Sequence, residues 1–208
     1  KGGVTALHMA CSKSSAVVVN ALLRCKADPH IKTDQKRTAV HYAATNRDPK
    51  VLATVLQFCD NALRRQCQRD ASGFTPFELA CSVGNGATAK FLLDRYPRDF
   101  LAKTSKFDKL KRTVLHLLVT GFPHETQLPT INELVELVMK LRPQDIWARD
   151  IDLQTPLSVH VKQHYKSDNS ATFGAMLAKL EPHEVDKALY MIFNKKASQK
   201  SEWQPQEW

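Results

Sequence analysis

Apolar residues recur along the chain at separations of three and four, the spacing of one helical face. Leu7, Ala10 and Cys11 make one such stretch, and Val18, Leu22 and Leu23 make the next. The first stretch opens on a threonine-led tetrad that returns four more times: Thr5-Ala6-Leu7-His8, Thr38-Ala39-Val40-His41, Thr75-Pro76-Phe77-Glu78, Thr113-Val114-Leu115-His116 and Thr155-Pro156-Leu157-Ser158, at intervals of 33, 37, 38 and 42 residues. Threonine is a good N-cap, because its hydroxyl accepts from a backbone N–H that has no partner inside the helix. Pro76 and Pro156 follow directly, where a helix tolerates proline for the same reason. Polar segments carrying Asp34, Asp70, Asp108 and Asp150 precede the later tetrads and read as turns, Ser72-Gly73 most clearly. The pattern predicts turn, short helix, tight reversal, second helix and exit loop, repeated. Two short helices cannot bury their apolar faces alone, so the copies must stack.

These tetrads, with the turn before each and the helix pair after it, resemble the ankyrin-repeat family. The match is closest from Thr5-Ala6-Leu7-His8-Met9-Ala10-Cys11 through Leu22-Leu23 to Ala27-Asp28, and in Gly73-Phe74-Thr75-Pro76-Phe77-Glu78-Leu79-Ala80-Cys81. It runs from about residue 1 to 180, strongly to Leu93 and more loosely beyond. The resemblance implies an all-α solenoid of about five units, near 1–33, 34–70, 71–108, 109–150 and 151–181. A capping helix over 182–193 and a polar tail over 194–208 complete the expected domain order. Departures are specific. The turn glycine two residues before the threonine is present as Gly3 and Gly73, whereas Lys36, Lys111 and Leu153 replace it elsewhere. Either those turns differ, or each carries roughly 1 kcal/mol of backbone strain. Unit four inserts Gly121–Thr130 between its helices, and Ser158 stands where the family has histidine.

Composition narrows the chemistry. The 208 residues are 43% hydrophobic and 25% charged, with mean hydropathy −0.36. No apolar run approaches the roughly 20 residues of a membrane-spanning helix. The chain opens Lys1-Gly2-Gly3 inside the repeat pattern, which suggests a segment of something longer. Five cysteines (Cys11, Cys25, Cys59, Cys67 and Cys81) include no CxxC pair, and an odd set of this kind fits a reducing cytoplasmic or nuclear setting. His8, His41 and His116 sit at one repeat position, and the resemblance implies a structural hydrogen-bonding role for them. His160 and His164 have the four-residue spacing of a metal face, with Asp168 the one further ligand at hand, and surface chance is the simpler account. Cys11 and Cys81 align with Ala44, so that site asks for a small buried side chain rather than a reactive one. With no Walker loop, nucleophile elbow or zincin motif, no catalytic residue, cofactor or metal is implied and the expected function is binding.

Charge indicates what is bound. Thirty Lys and Arg against 21 Asp and Glu give +9 and a pI near 9.4, which suits an acidic partner. In the implied fold the turns project as fingers beside a concave face, and the variable positions there hold Lys32, Arg37, Arg69, Phe74, Lys109, Arg112, Arg149 and Lys162. The expectation is a monomeric interaction module that holds an acidic or amphipathic protein segment on a basic concave face, with Phe74 as apolar anchor. IκB-like regulation of a transcription factor is one form of that reading. The alternatives are a regulatory domain of a larger enzyme and direct nucleic-acid binding, for which the basic 98–112 segment is a second candidate.

Overall fold

A computed structural model describes residues 2–59, 69–95, 109–121, 128–164, 170–178 and 180–193. All regular structure among them is helical: α1 (Ala6–Lys13), α2 (Ala16–Arg24), α3 (Ala39–Ala44), α4 (Pro49–Gln57), α5 (Pro76–Ser82), α6 (Gly86–Arg95), α7 (Val114–Thr120), α8 (Leu128–Leu141), a 3-10 turn (Pro143–Trp147), α9 (Pro156–His164), α10 (Ser170–Leu177) and α11 (Pro182–Phe193). Thr5, Thr38 and Thr75 hold extended backbone immediately before α1, α3 and α5, the geometry an N-cap requires. Three residues on, His8, His41 and Glu78 return the bond to the cap's own N–H and close each capping box. The expected 194–208 tail and the 98–108 part of the basic segment lie outside the described residues.

The chain divides into two compact units, residues 1–109 with 121–130, and residues 110–120 with 131–208. In the first, α1, α3 and α5 touch in succession to form one row, while α2, α4 and α6 form a second row behind it. The layer between them buries Leu7, Cys11, Val19, Val40, Ala43, Val51, Leu52, Phe77, Ala80, Ala89 and Leu92. Two asparagines join one helical pair to the next. Asn46 Nδ2 donates to the carbonyls of Cys11 (2.9 Å) and Ser14 (3.0 Å), and Asn85 Nδ2 donates to those of Ala44 (3.0 Å) and Asn46 (2.6 Å). These carbonyls lie at or just beyond the C-terminal ends of α1 and α3, where intrahelical donors run out, and the asparagines supply donors to them.

In the second unit α7 packs on α9, and α9 packs on both α10 and α11. Lys187 lays its ammonium 4.7 Å from the centre of the Trp147 ring, tying α11 to the 3-10 turn. Ile131, Leu134, Val135 and Val138 are buried, as their spacing predicts, but Leu141, the last of that stripe, is 48% exposed.

The turns decide the question left by the missing glycines. Lys36 (φ 57°), Lys111 (φ 57°) and Leu153 (φ 59°) are left-handed, as are Gly3 (φ 68°) and Gly73 (φ 92°) at the equivalent positions. One turn geometry is kept and three side chains carry the strain. The reason is tertiary: neighbouring fingers are joined by backbone bonds that need this geometry. Asp34 N–H donates to Gly2 (3.0 Å), Ala71 N–H to Gln35 (2.8 Å) and, in the second unit, Ile151 N–H to Leu110 (2.9 Å).

Candidate functional site

The repeated histidines are structural. Thr5 N–H donates to His8 Nδ1 (3.0 Å), which leaves the proton on Nε2 to reach the Ile31 carbonyl (3.1 Å). His116 repeats the arrangement between Thr113 N–H (3.1 Å) and the Gln154 carbonyl (2.9 Å), and His41 accepts from Thr38 N–H (3.2 Å). All three rings are buried. Burial holds the His8 pKa below its ordinary 6.5, with the Ile31 carbonyl pulling it partly back. His160 is buried and stacks on Phe173 at 6.1 Å, and the side chain of His164 lies outside the described residues, as does Asp168. Among the described residues no three His, Cys, Asp or Glu side chains gather as a metal-holding group. Cys11 and Cys81 are buried thiols. Burial, with a smaller push from Cys59, raises Cys11 to about 12, and burial then Glu78 raise Cys81 further. Neither is a thiolate nucleophile.

The expected partner-facing residues divide by what holds them. Arg69 is clamped by the finger and helix that follow it: Nη1 and Nη2 reach Glu78 Oε2 and Oε1 at 2.8 and 3.2 Å, and Nη1 also donates to the Gly73 carbonyl. Glu78 stands where the first, second and fourth repeats have His8, His41 and His116, and its Oε2 accepts from Thr75 N–H at 2.8 Å. Burial raises the Glu78 pKa, and the bonds from Thr75 and the charge of Arg69 draw it partly down. Arg37 Nε pairs with Asp70 Oδ2 at 2.8 Å, across two successive fingers. The other oxygen of Asp70 accepts from Ser72 N–H and Phe74 N–H, both at 2.9 Å, so this carboxylate shapes the turn that carries Phe74. Phe74 itself is half-buried.

In the first unit Lys32 and Lys109 are exposed on their fingers. In the second, Arg112 and Arg149 are half-buried beside theirs, and Lys162 is exposed on α9. Two features escape a reading confined to charge. The first is the pairing of Arg37 and Arg69, for which acidic Glu78 at a histidine position was the available signal. The second is a set of exposed apolar finger residues in the second unit, Leu110, Ile151 and Leu153, signalled by a leucine at a glycine position.

A helical row backed by a second row, with left-handed finger turns and Thr-led capping boxes, defines a repeat built for recognition. Residues 7–104 match the family model of ankyrin repeats, in three copies, and belong to that family. Among curated proteins the chain is 32% identical over 114 residues to the probable 26S proteasome regulatory subunit p28 of Saccharomyces cerevisiae, covering 54% of this chain and 48% of that protein. It is 27% identical over 149 residues to mouse Rabankyrin-5, covering 69% of this chain and 12% of the relative. It is 28% identical over 103 residues to the tyrosine-protein kinase HTK16 of Hydra vulgaris, covering 48% of this chain and 13% of the kinase. The chain thus spans about half the length of the yeast relative and far less of the other two. Ankyrin repeats are protein-interaction modules, and among the described residues no helix is long and apolar enough to cross a membrane.

Proposed function

We propose that this chain holds an acidic or amphipathic segment of a partner protein against its finger turns and first-helix face. The observation that carries the reading is the placement of Lys36 and Lys111. Each occupies a left-handed turn position where glycine is easier, and each is exposed. The bonds between fingers require the left-handed turn but not a lysine in it, and each lysine presents an ammonium at a finger tip. Lys32 adds an exposed cation to the first unit and Lys162 adds one to the second, and the net charge of +9 favours encounter with an acidic segment. Arg37 and Arg69 serve the face indirectly, by fixing the fingers.

The test compares a 20-residue Glu-rich peptide with a single-stranded 20-nucleotide DNA, by fluorescence anisotropy at low and high salt. The peptide should bind, and Lys32→Glu, Lys36→Glu, Lys111→Glu and Lys162→Glu combined should weaken it at least tenfold with the thermal melt preserved. Binding of the DNA alone, with the steep salt slope of phosphate neutralisation, would overturn the reading in favour of nucleic acid. The same assay with a Rel-type transcription factor tests the IκB-like form. A second reading has one observation behind it: the matches to a proteasome regulatory subunit and a tyrosine kinase set such repeats within larger machines. Under it this module positions a larger protein for its work.

A further inference from the structure

We infer that the fingers of the second unit carry an apolar grip, made by Leu110, Ile151 and Leu153, for an apolar side chain that an acidic partner segment presents between its carboxylates. The inference rests on the proposed function and adds what the basic face alone does not supply, a site for desolvated contact.

The three side chains are 45%, 56% and 49% exposed. They are neighbours by backbone geometry. Ile151 N–H donates to the Leu110 carbonyl (2.9 Å), and Leu153 closes the same turn by donating to the Asp150 carbonyl (3.1 Å). The repeat does not require apolar residues here. At the matching places the first unit has Gln35 and Ser72 for Leu110, Asp34 and Ala71 for Ile151, and Lys36 and Gly73 for Leu153. Leu153 is the sharpest case. A leucine held at φ 59° is strained and leaves half its surface in water, so neither the turn nor a core accounts for it. Apolar groups clustered on a surface and rimmed by charge are the usual anatomy of a protein contact.

The rim fixes the chemistry of the occupant. Lys111 is exposed within the turn of Leu110, and Arg112 and Arg149 flank the two fingers. Asp152 is the opposing exposed charge, while Asp150 Oδ1 is occupied by the N–H groups of Asp152 (2.9 Å) and Gln154 (2.8 Å). An apolar residue set among Asp or Glu fits this pattern, with exposed Lys111 meeting a carboxylate in the positive field to which Arg112 and Arg149 contribute.

The experiment selects a displayed library of 16-residue peptides, randomised over acidic and apolar residues, on the wild-type chain and measures the winners by anisotropy. Winners should combine carboxylates with at least one large apolar residue. Leu153→Gly and, separately, Ile151→Thr should each weaken them at least tenfold, although Leu153→Gly melts no lower than wild type because it relieves the left-handed leucine. Winners that bind both variants unchanged overturn the grip. If those winners still fail on Lys36→Glu with Lys111→Glu, the basic-face reading survives without it. Selection that yields no acidic binder overturns both. Sedimentation showing a wild-type dimer that Leu153→Gly dissolves would make the patch a self-association surface and also overturn the proposal.

Discussion

Arg69 and Glu78 meet fork to fork beneath the third finger, at 2.8 and 3.2 Å, in the place where neighbouring repeats use an uncharged histidine. The side chain of Glu78 is 5% exposed and that of Arg69 is 22%, so neither charge can recover its water if the other is removed. Arg69→Ala should therefore destabilise the chain by about 3 kcal/mol in urea unfolding, since it strands a buried carboxylate. Glu78→Gln keeps an acceptor for Thr75 and should cost less. The double variant should recover part of the Arg69→Ala loss, and strict additivity of the two would contradict the pairing.

The left-handed lysines and leucine predict the opposite sign. Lys36→Gly, Lys111→Gly and Leu153→Gly should each stabilise by about 0.5 kcal/mol, the relief of the left-handed penalty less glycine's extra unfolded-state entropy. Combined, they should raise the urea midpoint without changing its slope. Gly3→Ala should do the reverse, because an added Cβ would stand 3.2 Å from Thr33 Cα on a backbone at φ 68°. No gain from any of the three glycines would mean the strain is absent.

Asn46 and Asn85 each satisfy two carbonyls of the preceding helix pair. Replacing either by Ala should cost about 2 kcal/mol, since it removes two hydrogen bonds to carbonyls at the joint, although after Asn85→Ala the Asn46 carbonyl keeps the Thr88 hydroxyl at 3.2 Å. Hydrogen exchange should show the loosening at the joint the asparagine bridges. A loss spread evenly over all the helices would argue against a local joint.

Acid should probe His8. Its folded pKa lies below 6.5, so its contribution is intact above that value and is lost as pH falls through it toward the lowered folded pKa. Glu78 and Asp145 act the other way. Burial raises both, against the pull of Arg69 and Thr75 on one and Arg142 on the other. Each therefore favours the fold at acid pH and withdraws that support as pH rises through its folded pKa. Comparing wild type with His8→Gln cancels the carboxylates. The stability advantage of wild type should shrink between pH 7.5 and 5, by at most about 1.4 kcal/mol per pH unit for one proton. A constant difference would mean His8 does not titrate with unfolding.

The finger positions show how far charge in a sequence can be read. Lys36 and Lys111 are visible as basic residues in turns, and the structure places them exposed at the tips. Arg37 looks equivalent from the sequence, yet its guanidinium is held by Asp70, 33 residues away. Nothing local to Arg37 distinguishes it. A charge is available to a partner only after its own fold has declined it, and the chain path that brings Asp70 beside it is not encoded within reach of either residue.

The sequence alone determined the helix starts, because capping and three-to-four spacing act among residues within one turn of each other. It determined the repeat as well, since a helix pair too small to bury its own face implies a neighbour. Tertiary structure decided the rest. Fingers bonded to one another fixed the left-handed turn whether or not glycine was present, and Lys36, Lys111 and Leu153 were carried into it. Stacking set Arg37 against Asp70 and left Leu110, Ile151 and Leu153 in water. Burial, strain and pairing depend on what the chain brings back from tens of residues away, and only the packed molecule specifies that.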